Sequence, residues 1–350
     1  MTNTDSAISC LLGMAVGDAL GLPYEGLTAR RAARLLGPPD RYRLLLGHGL
    51  VSDDTEHACL TLQALAASAG REPDFAKALA RQLKRWLLLV PPGAGLATSR
   101  AAFKLLLGFP PRSSGVRSAG NGPAMRSTIL GAVISDPHQL DAAVRISTRM
   151  THTDPRAEYG ALVIAHAVRF FRQHTNASDF VEQVRRRLPN PDAAELIDRI
   201  ESAARSAANG ESTVVYAARR WGQRGIGGYM LDTVEGVLHA CFRHPDDYES
   251  AVQALICCGG DADTTAAIAG GIIGARVGRQ GIPAAWLAHL KDWPRTVRWM
   301  EQLAESAVRA VESGVHQRWL RLPIYGLLPR NLLFLTVVLF HGFRRLLPPY

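Results

Sequence analysis

The sequence predicts an all-α protein, on three observations. Apolar residues recur at helical spacing along most of the chain. Gly- and Pro-rich stretches at 36–50, 92–97, 108–123 and 222–228 punctuate it as loops. Strand-like alternation is scarce. A chain of 350 residues with 47% hydrophobic composition can bury a large core, and 20% charged residues exclude a disordered chain.

The first element is carried by Ile8, Leu11, Leu12, Ala15 and Ala19, which share one helical face until Pro23 stops it. Residues 56–69 are rich in Ala and Leu and stop at Gly70. Asp154-Pro155 reads as N-cap and first helical residue of a helix reaching Phe171. Ser178 or Asp179 caps another start, and 192–208 and 246–257 are further helices. The small apolar run after Asp263 is compatible with one more.

Near the C-terminus the character changes. The stretch NLLFLTVVLFHGF, 331–343, is nearly all apolar and is flanked by Arg330 and by Arg344-Arg345. Thirteen residues make a helix of about 20 Å, short of a bilayer core. Three readings are open: a helix docked on the main body, an anchor at a membrane surface, or a contact with a partner or second copy. The chain thus divides into a main domain, 1–312, and an apolar extension, 313–350.

Forty basic residues against 31 acidic give a net charge of +9. The excess is scattered, with short runs at Arg30-Arg31 and Arg185–Arg187, which describes a solvated basic surface and no nucleic-acid groove. The five cysteines (Cys10, Cys59, Cys241, Cys257 and Cys258) have no zinc-site spacing and read as buried thiols. With no basic-then-apolar leader pattern, a cytoplasmic location is expected.

Two segments carry the chemistry. GGDADTT, 259–265, and VSDDT, 51–55, each run from a glycine-containing stretch through paired aspartates and a hydroxyl into a helix. Each alone reads as helix capping. Together they offer four carboxylates and several hydroxyls, a donor set that suits Mg²⁺ or Mn²⁺ and not zinc. Two divalent ions balance four carboxylates, and ion pairs about 3.5–4 Å apart are a known catalytic arrangement.

Three further segments are weaker singly. In GMAVGDALGLPYEGL, 13–27, Asp18 lies on an apolar helix, where it is expected to hold a neighbouring loop by hydrogen bonds, and Glu25 lies in the loop beyond. In SAGNGPAMRSTILGA, 118–132, Gly120-Asn121-Gly122 can take positive φ and form an anion nest ahead of the helix after Pro123. In MTHTDPRAEYGA, 150–161, His152 precedes the Asp154 cap and by itself reads as a structural hydrogen-bonder.

In this order, GDALGLPYE, SDDT, GNGPAMR, THTDPRA, GGYMLDTVE and GGDADTT resemble the motifs of the ADP-ribosylglycohydrolase family, over residue 8 to about residue 286. The resemblance implies a compact all-α fold with a binuclear Mg²⁺ or Mn²⁺ cleft. It implies metal ligation by Ser52, Asp53, Asp54, Asp261, Asp263 and Thr264, with Ser52 standing where threonine is commoner. Glu25 corresponds to a glutamate on a mobile loop beside the metals. Gly120, Asn121, Gly122, Met125 and Arg126 resemble the phosphate- and ribose-binding loop. His152 corresponds to a histidine near the substrate, and Gly228 and Tyr229 to a lining of the ADP-ribose cleft.

The implied activity is metal-dependent hydrolysis of the bond between ADP-ribose and a modified acceptor, through an oxocarbenium-like transition state. A protein side chain is the expected acceptor, with arginine favoured. Serine, O-acetyl-ADP-ribose or nucleic-acid linkages are the alternatives, as is a non-catalytic ADP-ribose-binding role. Asp53 or Asp54 is expected as the base, with Glu25 the alternative.

Overall fold

The computed structural model describes residues 1–350 apart from 319, 321, 349 and 350, which lie in the C-terminal extension. The described residues form α1 (Asn3–Gly21), α2 (Ala29–Leu36), α3 (Asp53–Ser68), α4 (Glu72–Leu88), α5 (Leu96–Leu106) and α6 (Gly122–Val133). There follow α7 (Pro137–Arg149), α8 (Pro155–Phe171), α9 (Ala177–Arg187), α10 (Ala194–Ala208), α11 (Thr213–Trp221) and α12 (Met230–Arg243). The last are α13 (Tyr248–Cys258), α14 (Ala262–Val277), α15 (Ala284–His289), α16 (Val297–Ser313) and α17 (Ile324–Arg344). Among the described residues the only β-type pairings are isolated bridges between loops, so the fold is all-α.

At its centre α1 runs along α14, and nearly every residue of both is buried. Their approach depends on glycine. A Cβ on Gly13 would stand 2.2 Å from the Gly270 carbonyl oxygen, and one on Gly17 2.2 Å from that of Ala266. Backbone therefore lies on backbone, and the two acidic segments are drawn together by this contact: Asp18 sits near the end of α1, and Asp261 and Asp263 open α14. The segment Asn3–Tyr24 is apolar enough to cross a membrane but is 94% buried, as a core helix is.

Local signals account for most helix boundaries. Asp154 caps α8 by accepting from the Arg156 N–H, and the helix ends at Phe171 as its pattern predicts. Helix α3 stops where Ala69 and Gly70 both take positive φ. Elsewhere the expectation shifts. The cap of α9 is Asn176, whose side chain accepts from Ser178 and Asp179, so those two are the capped residues and not the cap. The helix expected over 192–208 begins as a 3₁₀ turn, Pro191–Ala193.

The C-terminal helix is longer than its apolar core suggests. It has 21 residues, about 31 Å at 1.5 Å per residue. It docks on the main body through buried Leu327, Arg330, Asn331 and Phe334. Arg330, read from sequence as a flanking cation, points inward: it bonds both Asp292 carboxylate oxygens and pairs with Glu56 at 3.1 Å.

Candidate metal-binding active site

The first acidic turn is built on Asp18. Its carboxylate accepts from the Ser52 N–H with both oxygens at 3.0 Å, from the Thr55 N–H at 3.1 Å and from the Thr55 hydroxyl at 2.5 Å. Burial outweighs these bonds and pushes the Asp18 carboxyl up to about 6. Behind the turn, the Val51 N–H donates to Asp292 at 2.9 Å, and the Val51 carbonyl accepts from Arg330 at 2.5 Å. Glu56 takes the Trp86 indole N–H at 2.7 Å and Arg295 at 3.0 Å. The start of α3 is therefore fixed from both sides before any ligand arrives.

The second acidic turn needs glycine for its shape. Gly259 and Gly260 have φ of 73° and 85°, and a Cβ on Gly260 would lie 2.2 Å from the Ile226 carbonyl oxygen. The close approach lets three loops share backbone bonds. The Gly26 N–H donates to the Gly260 carbonyl at 2.7 Å, Gly260 to Leu27 at 3.0 Å, and Asp261 to Ile226 at 2.7 Å. The Glu25, Ile226 and Asp261 loops are thereby held together.

The two turns meet. The Thr264 hydroxyl donates to Asp54 Oδ2 at 3.1 Å, across 210 residues of sequence. The Ser52 hydroxyl is 3.2 Å from the same oxygen, while Asp54 Oδ1 is buried with no partner. Burial, with Asp18, Asp53 and Asp261 nearby, holds the Asp54 carboxyl well above its usual range. Burial and the charges of Glu56, Asp18 and Glu25 do the same to Asp53. Burial and Glu25, Asp261 and Asp54 do the same to Asp263. At the mouth, partial desolvation and Asp261 push Glu25 up, with Arg345 opposing.

Among the described residues no three His, Cys, Asp or Glu side chains already close into a metal cage. The donor chemistry nevertheless fits divalent cations. Buried carboxylates repel one another, hydroxyls share their oxygens, and one carboxylate oxygen is orphaned. Among the described residues, none of the ion pairs within 4 Å involves Asp53, Asp54, Asp261 or Asp263. Such a cluster is costly in isolation and is relieved by positive charge.

The glycine loop lies against this cluster. The Asn121 N–H donates to the Gly228 carbonyl at 3.0 Å, and its side-chain amide donates to Asp261 at 2.6 Å and to Thr233 at 3.0 Å. Gly120 faces Tyr229 across an antiparallel bridge. Of the two readings of this segment, an anion nest or an ordinary Gly-rich turn, the turn holds: Gly120 and Gly122 lie outside the left-handed region. Space constrains Gly122 only mildly and Gly120 hardly at all. A Cβ on Gly120 would sit 3.4 Å from His152 Nε2, and one on Gly122 3.3 Å from His152 Cε1.

His152 is buried beneath that loop, with Nδ1 2.9 Å from the Thr151 hydroxyl. Burial and the Arg126 charge lower its pKa to about 3. A histidine depressed in this way is neutral in the native state down to that value and protonates near 6.5 when unfolded. It therefore contributes stability at pH above 6.5 that is lost as pH falls toward 3. The ring resonances of His152 are expected to show no titration between pH 7.5 and about 5. A midpoint near 6.5 would place the ring in water instead.

Met125 and Arg126 are buried under the loop. Arg126 gives Nε to Ser147 at 2.9 Å and Nη2 to Thr151 at 2.6 Å, with Nη1 3.3 Å from His57. It props Thr151 and hence His152, and in this arrangement does not reach the loop surface. Gly228 is exposed, and a Cβ there would lie 3.1 Å from Asp261 Oδ2. The Tyr229 hydroxyl accepts from Arg156 at 3.3 Å, and the guanidinium groups of Arg156 and Arg199 each stand 5.8 Å from its ring centre.

Three supporting residues were not read from the sequence as part of the site: Asp292, and Arg330 and Arg345, which were read there only as cations flanking the apolar stretch. Arg345 donates to the carbonyls of Glu25 at 2.8 Å and Pro23 at 2.9 Å, and so holds the Glu25 loop from the C-terminal helix. The available signal was Arg330 itself, since an arginine within an apolar helix needs a buried partner.

The chain matches the ADP-ribosylglycohydrolase family over residues 1–317. It is 32% identical over 321 residues to an uncharacterized protein of Archaeoglobus fulgidus, covering 90% of this chain and 98% of that one. It is 29% identical over 294 residues to the ADP-ribosyl-[dinitrogen reductase] glycohydrolase of Rhodospirillum rubrum, covering 82% and 90%. A solved structure described as an ADP-ribosylglycohydrolase-related protein complex superposes with a TM-score of 0.66 at 26% identity, covering 88% of this chain and 99% of that one. The converging acidic turns thus stand on a shared fold and a match that spans most of the chain, which belongs to the ADP-ribosylglycohydrolase family, hydrolases of ADP-ribosyl glycosidic bonds.

Proposed function

We propose that this chain removes ADP-ribose from a modified protein side chain, with arginine the favoured acceptor. The observation that carries the reading is the contact between Thr264 and Asp54, which joins the two acidic turns into one oxygen-rich cluster. Ser52, Asp53, Asp54, Asp261, Asp263 and Thr264 would hold two divalent cations, Mg²⁺ or Mn²⁺. Bound there, such cations supply charge that orients the ribose hydroxyls and acidifies an attacking water.

The chain's own residues do the rest. Asn121, held by Asp261 and Thr233, fixes the glycine loop beside the cluster, and α6 begins there with no side-chain cap. Pro123 brings no N–H and that of Ala124 donates to the Asn121 carbonyl at 2.8 Å, so the Gly122 N–H is the helix-start donor offered to the diphosphate, whose binding energy is remote from the reacting carbon. Neutral His152 props the loop without adding charge. Gly228 keeps the approach to Asp261 open, and Tyr229 offers a ring face at the same edge. Asp53 or Asp54 accepts the proton of the attacking water, and Glu25 on the opposing loop is the alternative.

Arginine is favoured because its guanidinium is cationic in the bound substrate, and Glu25, an exposed carboxylate that is not one of the proposed cation ligands, attracts it from the mouth of the site. A serine oxygen gains nothing from the same charge. Five free thiols, four of them buried, support a reducing cytoplasmic setting. The test is Mg²⁺-dependent release from matched arginine- and serine-linked ADP-ribosyl peptides. Release from arginine should be faster by at least about tenfold, or ~1.4 kcal/mol. Equal or faster release from serine would reverse the assignment. No release from either, with ADP-ribose still bound, would redirect the reading to a small-molecule or nucleic-acid linkage or to a binding role.

A further inference from the structure

We infer that the outer face of α17 lies in the plane of an anionic lipid surface, held there by apolar side chains between two groups of cations. This is independent of the acceptor proposed above. The family match ends at residue 317, and α17 lies wholly beyond it.

Helix α17 has two apolar faces. One is spent on the main body, through Leu327 and Phe334. The other carries Leu332, Leu333, Leu339, Phe340 and Phe343, exposed by 54%, 54%, 52%, 73% and 67%. These positions fall at helical spacing on one side. The turn after α4 abuts the helix, and adds exposed apolar surface beside it: Asn331 donates to the Leu89 carbonyl at 2.8 Å, and Leu88 and Val90 on either side are exposed by 65% and 59%. A contiguous exposed strip of this kind marks a surface that meets something other than water.

Charge says what that is. Residues 314–350 contain no Asp or Glu and five arginines. Beside the turn after α4, Leu88 shares a groove with Arg81, Lys84, Arg85 and Arg318, and among the described residues that line it none is acidic. At the C-terminal end of the helix Arg344 is exposed, and Arg31 of α2 bonds the Arg345 carbonyl, which brings exposed Arg30 to the same edge. Cations flanking an apolar strip match anionic headgroups above acyl chains. A two-fold contact with a second copy would set like charges against each other.

The helix is long and apolar enough to cross a bilayer. Its inner face argues for lying in plane. Crossing would withdraw Arg330 from Asp292 and Glu56, leaving buried Asp292 without its cation and Glu56 with Arg295 alone.

The test is co-sedimentation of the full chain with vesicles of phosphatidylcholine alone and of phosphatidylcholine mixed with phosphatidylserine. Leu333→Glu/Phe340→Glu serves as the variant, with circular dichroism and release from a soluble ADP-ribosyl peptide confirming its fold. Binding should favour the phosphatidylserine vesicles by at least about tenfold, weaken with salt, and fall at least about tenfold in the variant. Absence of binding to either vesicle would overturn the inference, as would binding unchanged by the variant. A dimer seen by sedimentation velocity and dissociated by the same variant, without vesicle binding, would assign the face to a second copy instead.

Discussion

Replacing Arg330 by alanine is expected to destabilise the full chain by about 3–5 kcal/mol, the usual cost of removing one partner from a buried ion pair. The substitution leaves Asp292 and Glu56 buried, with Glu56 retaining Arg295 and Asp292 retaining only the Val51 N–H as the contacts described above. The Val51 carbonyl also loses its donor. A fall in Tm on the order of 5–10 °C should result. Activity should fall further than stability alone explains, because Val51 precedes the Ser52–Asp54 turn. Lysine restores a charge but not the forked donor set and should recover only part of the loss. A Tm within about 1 °C of the parent would show that α17 is not integral to the fold.

Substitution of Asp54 by asparagine should have opposite effects on activity and on metal-free stability. Release of ADP-ribose should drop by well over about 100-fold, more than the loss expected from disturbing a group one shell further out. The cation-free protein should be as stable as the parent or more so. Burial and Asp18, Asp53 and Asp261 raise the Asp54 pKa, so its charged form opposes folding at neutral pH. The neutral amide removes that opposition. Mg²⁺ or Mn²⁺ should then raise Tm in the parent and not in the variant. Were Asp54 only a helix-terminal carboxylate, asparagine would preserve activity and cost about 1 kcal/mol or less.

Much of this was legible because it is local. Asp154-Pro155 states a helix start in two residues, and the apolar helix around Asp18 points to a carboxylate that holds a neighbouring loop, as its bonds to Ser52 and Thr55 do. The two acidic turns were visible as similar strings, but no local signal could show that Thr264 would reach Asp54. That contact is set by α1 lying backbone-to-backbone on α14. The glycine loop was less legible for a related reason. Gly120 and Gly122 are consistent with positive φ, yet neither takes it, and the loop is instead positioned by Asn121 bonding to Gly228, Asp261 and Thr233. Arg126 is a second case: the family resemblance put it in a phosphate- and ribose-binding loop, and its burial makes it a prop for Thr151. The role of α17 was hidden because its partners, Glu56 and Asp292, are distant in sequence and each resembles an ordinary solvated acid until the helix is placed.

The central claim is that the two turns form one binuclear cation centre. Calorimetric titration of Mn²⁺ into the full chain tests it most directly, with Asp54→Asn and Asp263→Asn alongside. The account predicts two cations per chain in the parent and loss of both from either variant, since Asp54 and Thr264 share one oxygen across the turns. Failure of the parent to bind, or binding that survives both substitutions, would contradict it.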